Sequence, residues 1–254
     1  MGENLIYCFS GTGNSLAAAK QVAAVLGGAD IRLMKGASAF EGGRYRRIGF
    51  VFPSYAGGVP RAVLAYIGAL GLTADAADYF FTVVTCGGAP RNTLPMLRDA
   101  LAQKGIPLHY GKSLNTVGNY IVMYPLRQDA ANVRAAADAQ MEDYAREIAA
   151  NTTTDIGKVT LSKKLFYKVG NRYFRMNAKK HAASRACIAC GLCARLCPMG
   201  CIQMQAGKPA FDWKSCAQCM ACIQWCPTGA VNCGKETLGR TRYHHPDIRA
   251  EELI

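Results

Sequence analysis

Acidic residues are scarce in this sequence, which has 17 Asp and Glu against 30 Lys and Arg and a formal net charge of +13. The shortage is local, because residues 158–185 contain nine Lys or Arg and no acidic residue. No nucleic-acid recognition motif accompanies this charge, so nucleic acid is not the expected partner. The basic segment instead indicates a solvated face, a protein partner with an acidic surface, or a membrane surface.

Long hydrophobic runs are also missing. Apolar stretches such as residues 79–84 fall far short of the roughly 18 residues that cross a bilayer. The apolar run at 5–9 follows Glu3 and is too short for a signal peptide. We therefore expect no transmembrane segment and a cytoplasmic location, where thiolates remain reduced and available to metals.

Cysteine is the residue in clearest excess, with twelve in the chain. Eight of them fall in two copies of the pattern C-x2-C-x2-C-x3-C-P, at residues 187–198 and 216–227. This pattern is typical of the bacterial-type runs that bind a cubane iron-sulfur cluster through closely spaced thiolates. The internal repeat therefore predicts two 4Fe-4S clusters.

The ligand sets follow from the same pattern, because the fourth cysteine of each run binds the cluster of the other run. The predicted first set is Cys187, Cys190, Cys193 and Cys226, and the predicted second set is Cys197, Cys216, Cys219 and Cys222. A zinc ribbon and a disulfide scaffold are the alternatives. Zinc knuckles usually lie a dozen or more residues apart, and disulfides need an oxidising compartment.

Four cysteines lie outside the runs. Cys201 aligns in the repeat with Ala230, so we interpret it as a small core residue. The same interpretation applies to Cys8, inside the first predicted strand. Cys86 ends a predicted strand beside two glycines, where a cofactor could reach it. The sequence indicates no role for Cys233.

The first 150 residues alternate short β-rich apolar runs with longer helical patterns, which is typical of a parallel sheet covered by helices. The predicted strands are 5–9, 31–34, 48–53, 80–86 and 107–117, and the predicted helices are 15–26, 60–70, 90–104 and 129–150. We expect an α/β fold: a doubly wound five-stranded parallel sheet at 1–150, a basic amphipathic linker helix within 151–185 that Gly170 interrupts, and a small α+β cluster domain with a C-terminal tail at 186–254.

A glycine-rich loop follows the first predicted strand and opens an Ala-rich helix. Its residues are Ser10, Gly11, Thr12, Gly13, Asn14 and Ser15. Glycines, hydroxyls and exposed amides at a helix start bind phosphate. A Walker loop would need G-K-[ST], and a dinucleotide fingerprint would need Gly or Ala in place of Leu16. The loop therefore predicts a monoester phosphate held by neutral donors, with a plain strand-to-helix turn as the alternative.

Two further small-residue loops follow the third and fourth predicted strands. They comprise Pro53, Ser54, Tyr55, Ala56, Gly57 and Gly58, and Thr85, Cys86, Gly87 and Gly88. Ligands of doubly wound folds bind at the carboxyl edge of the sheet, where all three loops are expected to meet.

With these loops the first 150 or so residues resemble flavodoxins, and the whole chain resembles the fused flavodoxin and bacterial-ferredoxin proteins of the ferrodoxin family. The resemblance implies FMN, with 10–15 around its phosphate and 53–58 and 85–88 on either side of the isoalloxazine. Tyr55 is the implied stacking aromatic. Many flavodoxins place a second aromatic after the fourth strand, but none occurs at 85–92 here, and Tyr120 is the candidate substitute.

The function expected from these features is electron transfer between the clusters and FMN, as a carrier for a redox partner protein. The alternatives are a flavin-dependent reductase of a quinone or nitro compound, and a redox sensor. No histidine lies at a recognisable spacing from a carboxylate or nucleophile, so no catalytic residue is assigned. The sequence does not indicate the oligomeric state.

Overall fold

A parallel five-stranded sheet occupies the first part of the chain in the structure, a computed structural model that describes residues 3–36 and 39–254. The strands are β1 (Asn4–Cys8), β2 (Asp30–Leu33), β3 (Tyr45–Pro53), β4 (Ala77–Cys86) and β5 (Tyr110–Asn115). Their spatial order is β2-β1-β3-β4-β5, and every neighbouring pair is parallel. This is the flavodoxin-like order, with its switch point between β1 and β3. The predicted fold class is confirmed.

Helices cover both faces of the sheet, namely α1 (Asn14–Val25), α2 (Arg61–Ala69), α3 (Thr93–Ala102) and α4 (Ala130–Ala149). The core under α1 and α4 includes Val22 and Met141, and the core under α2 and α3 includes Ile67 and Leu97. Burial of each such side chain contributes about 1.5–3 kcal/mol. Because β1, β3 and β4 are parallel, the loops that follow them meet at one edge of the sheet.

Helix α5 (Leu161–Ala178) follows the sheet and runs without a break through Gly170. The predicted interruption is therefore wrong. A Cβ at Gly170 would collide with the Ala56 side chain. Glycine at this point allows the helix to approach the loop after β3 closely, and the Tyr167 hydroxyl donates to the Val59 carbonyl at 2.7 Å.

The remaining elements form a small α+β unit. Strand β6 (His181–Ala183) pairs antiparallel with β9 (Val231–Cys233), and β7 (Ile202–Gln205) forms a hairpin with β8 (Lys208–Phe211). The short helices α6 (Leu192–Arg195) and α7 (Ala221–Gln224) each contain the third cysteine of one run, Cys193 and Cys222. The duplicated sequence thus forms duplicated local structure.

Residues 234–254 return to the flavodoxin-like sheet. Ile248 and Leu253 are buried in the same core as α1, together with Leu196 and Ala221 of the small unit. The two parts of the chain therefore share one continuous core. Among the helices in the described ranges, none has the length and hydropathy that crossing a membrane requires.

Candidate functional site

The eight cysteines of the repeat line two separate cavities. The first cavity is lined by Cys187, Cys190, Cys193 and Cys226, and the second by Cys197, Cys216, Cys219 and Cys222. Each cavity thus takes three cysteines from one run and the fourth cysteine from the other run. All twelve cysteines of the chain are free thiols.

Backbone conformation repeats at the two cavities. Ala189 and Gln218, at equivalent positions of the two runs, have φ of 58° and 57°, and Gly191 and Met220 have φ of 69° and 63°. A left-handed conformation costs about 1–2 kcal/mol for a residue with a Cβ. Backbone strain of this kind persists where the surrounding structure enforces it, most often at functional sites. The Gln218 amide donates to the Cys216 sulfur at 3.4 Å, as main-chain amides in such left-handed turns can do toward an anionic group.

The second cavity also holds a buried polar atom without a partner. His181 lines this cavity, its Nδ1 lies 3.1 Å from the Ala178 carbonyl, and its Nε2 is buried with no hydrogen-bond partner. A buried polar group of this kind usually has a partner in the native protein. Thiols, inward amides and an unpartnered imidazole nitrogen together fit a sulfur-rich metal cluster.

Cys201 is buried, as expected of a small core residue, but it also lines the second cavity. Its sulfur lies 3.3 Å from that of Cys197. The repeat alignment with Ala230 could not reveal this proximity, because the first cavity has no equivalent thiol.

A cleft of about 450 Å³ opens at the carboxyl edge of the parallel sheet. Twelve of the sixteen residues assigned to FMN from the resemblance line it: Ser10, Gly11, Thr12, Asn14, Ser15, Pro53, Ser54, Tyr55, Ala56, Thr85, Cys86 and Gly87. The remaining four, Gly13, Gly57, Gly58 and Gly88, do not line it. Gly13 turns toward the side chains of His245 and Ile248, and Gly57 and Gly58 face Arg91 and Tyr167.

The start of α1 presents unused donors to this cleft. Gly13 precedes the helix with φ of 98°, no side chain caps the helix, and its first turn contains no acidic residue. The first amides of the helix therefore lack intrahelical acceptors and attract an anion. The Ser15 hydroxyl lies 2.7 Å from that of Thr85, which connects the start of α1 to the carboxyl end of β4. The site fits a phosphate group.

Aromatic side chains form the opposite wall. The Phe174 ring of α5 lies 6.0 Å from the Tyr55 ring at 90° and 4.8 Å from the Tyr120 ring. Burial raises the pKa of both the Tyr55 and the Tyr120 hydroxyl, so both rings remain neutral near pH 7. Two neutral tyrosines beside an apolar cleft suit a flat aromatic ligand.

Three parts of the cleft wall were not predicted from the sequence, except for the single residue Tyr120 in the first of them. They are the loop after β5 (residues 116–120, with Met123 and Tyr124), the α5 side chains Phe166, Val169, Tyr173 and Phe174, and residues 218–220 of the second cysteine run. The position of the fifth strand was a usable signal for the first part, since its carboxyl end lies at the same edge. No local signal marks the other two.

Residues Gln218, Cys219 and Met220 line both the cleft and the second cysteine cavity. No residue of the first cysteine cavity lines the cleft. The two cavities are therefore unequal, because only the second adjoins the cleft.

Three of the four cysteines outside the runs, Cys8, Cys86 and Cys233, are buried thiols that line neither cysteine cavity. Burial raises the pKa of the Cys86 thiol, which donates to the Leu114 carbonyl, and burial alone raises that of Cys8. The pKa of Cys233 rises to about 11, chiefly through burial, and its thiol donates to the Asn177 carbonyl. Cys233 is thus a packed core residue, which answers the question left open by the sequence.

Residues 186–230 match the family model described as a 4Fe-4S dicluster domain. This chain joins a flavodoxin-like domain to a dicluster domain. The two 4Fe-4S clusters predicted for the dicluster domain are confirmed by that match, and the flavodoxin-like domain is identified by its own strand order.

Solved structures similar to the flavodoxin-like domain include a two-electron reduced flavodoxin from Megasphaera elsdenii (12% identity, 56% of this chain and 98% of that chain, TM-score 0.37). An FMN-dependent NADH-azoreductase from Bacillus anthracis matches at 10% identity, over 59% of this chain and all of that chain, with a TM-score of 0.41. An NAD(P)H:quinone oxidoreductase from Methanothermobacter marburgensis matches at 12% identity (58% and 96% coverage, TM-score 0.41). No curated protein sequence matches this chain.

Proposed function

We propose that the chain transfers electrons between two 4Fe-4S clusters and FMN, and that it acts as a carrier for a redox partner protein in the cytoplasm. One observation carries this proposal: residues 218–220 form part of the wall of the cleft and part of the wall of the second cysteine cavity. Groups held in the two sites would be separated only by this loop.

The cysteine cavities supply the cluster ligands. Cys187, Cys190, Cys193 and Cys226 would hold the first cluster, and Cys197, Cys216, Cys219 and Cys222 the second. The protein contributes sulfur ligands, amide-to-sulfur hydrogen bonds and partial burial, which are the features that set cluster potential. Cys190 is exposed, whereas Cys222 is buried, so the first cluster would lie nearer to solvent.

The cleft supplies the flavin site. The start of α1 would hold the FMN phosphate, and Tyr55 and Tyr120 would contact its ring system. Clusters exchange single electrons, whereas a flavin exchanges one or two, so a protein with both can connect one-electron and two-electron partners.

Cofactor stoichiometry is the first test. Protein purified without oxygen is expected to contain about eight iron atoms, about eight sulfides and one FMN per chain. The measurement is iron, sulfide and released flavin, with the visible spectrum recorded during stepwise reduction. Iron without flavin, even after addition of FMN, would contradict the carrier proposal, because the cleft would then have no redox group.

Helix α5 provides a docking surface for the partner. Leu161 and Leu165 are 82% and 63% exposed, and Val169, which also lines the cleft, is 60% exposed. Lys164 and Lys168 are exposed on the same helix, and no acidic residue occurs between residues 158 and 185. Apolar groups beside positive charge fit an acidic protein whose interface has an apolar centre.

Charge reversal tests this surface. The double variant Lys164→Glu with Lys168→Glu is expected to slow reduction by an acidic one-electron donor, such as a reduced [2Fe-2S] ferredoxin, by about tenfold at low ionic strength. The difference should disappear near 1 M salt, where the Debye length is about 3 Å. The measurement is the second-order rate constant from stopped-flow absorbance.

The matched control is Arg44→Glu with Arg46→Glu, at the amino end of β3 and therefore at the opposite edge of the sheet. It changes the net charge equally and is expected to change the rate far less. If the α5 variant instead loses binding to anionic lipid vesicles while donor kinetics stay unchanged, the surface is a membrane contact and this assignment is wrong.

A flavin-dependent reductase is the second candidate, and one observation favours it. Met123 and Tyr124 line the cleft yet are 55% and 39% exposed, so the cleft reaches the surface through apolar side chains. A quinone or nitro compound could enter there. Steady turnover of such a compound with reduced protein, without a protein acceptor, would favour the reductase over the carrier.

A further inference from the structure

The phosphate loop, residues 10–15, is covered by the second cysteine run. The Trp225 indole Nε1 donates to the Gly11 carbonyl at 3.0 Å. A Cβ at Gly11 would overlap the Cys219 carbonyl oxygen and would lie 3.0 Å from the Cys219 carbonyl carbon and Cβ. The main chain at Cys219 therefore rests directly on the loop.

The C-terminal tail completes this cover. The His245 amide donates to the Thr12 carbonyl at 2.8 Å, and the Tyr243 hydroxyl donates to Asn14 Oδ1 at 2.8 Å. The Trp225 ring stacks on His244, with centroids 3.9 Å apart and planes at 12°. Trp225 thus joins the tail to the loop.

A ring of hydrogen bonds links the same parts through Gln224. Its side-chain amide donates to the Asn119 carbonyl at 2.8 Å, and its oxygen accepts from the Tyr243 amide at 2.8 Å. Asn119 in turn donates from its side chain to the Thr12 hydroxyl. The residue that follows Asn119, Tyr120, donates to the Gln218 side chain at 2.9 Å.

The first cysteine cavity connects to the loop indirectly: Cys226 follows Trp225 in the chain, and the Val231 carbonyl accepts from the Arg242 side chain of the tail at 3.3 Å. Its lining residues come from 187–193, Met204 and 226–231, and none of them lines the cleft. Loss of the first cluster would leave the direct contacts of Cys219 and His245 with the phosphate loop in place.

We propose that the second cysteine set and the phosphate loop form one cooperative unit, in which a cluster at the second set raises FMN affinity and Trp225 is a positioning residue for the loop. The inference rests on the proposed function, since it requires both cofactors. Cluster ligation fixes residues 216–222, including the left-handed Gln218 and Met220. Without the cluster, part of the free energy of FMN binding would be used to order the phosphate loop and the residues that cover it. FMN would then bind more weakly.

The test is the FMN dissociation constant of the full-length chain, measured by quenching of flavin fluorescence. Cys216→Ala, made in a Cys201→Ala background because Cys201 lines the same cavity and could replace the lost thiol, removes a thiol of the second cavity that does not line the cleft. It is expected to raise the constant at least about tenfold, within the 5–150-fold range of coupled sites. The matched control, Cys190→Ala, removes a thiol of the first cavity and should change the constant less than about twofold.

Trp225→Phe tests the positioning role without removing a ligand. It should raise the FMN dissociation constant about fivefold, the effect of one lost hydrogen bond, while the iron content stays at the wild-type value. Because both clusters remain, this variant gives an answer even if Cys216→Ala fails to fold. An unchanged constant in Trp225→Phe would overturn its role.

Coupling must act in both directions. In Cys190→Ala, which keeps only the second cluster, added FMN should slow iron loss to a chelator. Equal FMN dissociation constants in Cys216→Ala and Cys190→Ala would overturn the cooperative unit while leaving the proposed function intact. Absence of FMN binding in the wild type would overturn the proposed function itself.

Discussion

Replacing Cys226 by Ala is expected to remove the cluster of the first run, although Cys226 belongs to the second run. The iron content should fall from about eight to about four atoms per chain, because the cube loses one of its four ligands. Cys226 lines the first cavity with Cys187, Cys190 and Cys193. No other cysteine lines that cavity, so no thiol is placed to replace it.

The double variant Cys187→Ala with Cys226→Ala makes this prediction decisive. If both thiols bind the same cluster, the double variant retains about four iron atoms, as each single variant does. If Cys226 binds the other cluster, the double variant loses nearly all iron. The measurement is iron and sulfide per chain, with the visible spectrum of the remaining cluster compared among the three variants.

Cys233→Ser is the control for these cysteine variants. Cys233 is fully buried but lines neither cavity, and its thiol donates to the Asn177 carbonyl, a bond that a hydroxyl can also make. The variant should keep about eight iron atoms per chain.

Replacing Gly11 by Ala is expected to weaken FMN binding about 5–150-fold, since overpacking costs about 1–3 kcal/mol and about 1.4 kcal/mol is tenfold in affinity. The added methyl group would overlap the Cys219 main chain, which cannot rotate away as a side chain would. The apparent unfolding midpoint should fall by about 2–12 °C on the same estimate. Fluorescence titration and a thermal melt measure the two effects.

Gly68→Ala is the matched control for Gly11→Ala. Gly68 lies within α2, and a Cβ there would meet no atom within 4 Å. Alanine in a helix should stabilise the protein by about 0.5–1 kcal/mol and leave FMN binding unchanged. If Gly11→Ala behaved like Gly68→Ala, the contact between Cys219 and the phosphate loop would not exist in solution.

The sheet was predictable because its strands are local patterns. Phe80, Phe81 and Val83, all fully buried, lie in a short apolar run of the kind that is typical of a parallel strand covered on both faces. The cysteine runs were equally local, since their spacing alone predicts a cubane ligand set. The structure of these elements is determined largely by residues that are close together in the sequence.

The walls of the cleft were less predictable because they form between distant segments. The bond from Trp225 to Gly11 spans 214 residues, and that from Asn119 to Thr12 spans 107. Gly170 shows the same limit. A glycine within a helical pattern predicts an interruption of the helix, and only the close approach to Ala56 explains why glycine occurs there. The sequence shows that a residue is small but not what lies against it.

The long separation between the phosphate loop and its cover also has a consequence for biosynthesis. Asn14 and Tyr243 lie 229 residues apart, so at about 5–20 residues per second the ribosome needs roughly 10–50 s to proceed from one to the other. During that interval the sheet can fold while its phosphate site stays uncovered. FMN that arrives during translation would therefore meet a loop that Trp225 and Tyr243 do not yet hold in place, whereas in the finished protein both hydrogen bonds are made.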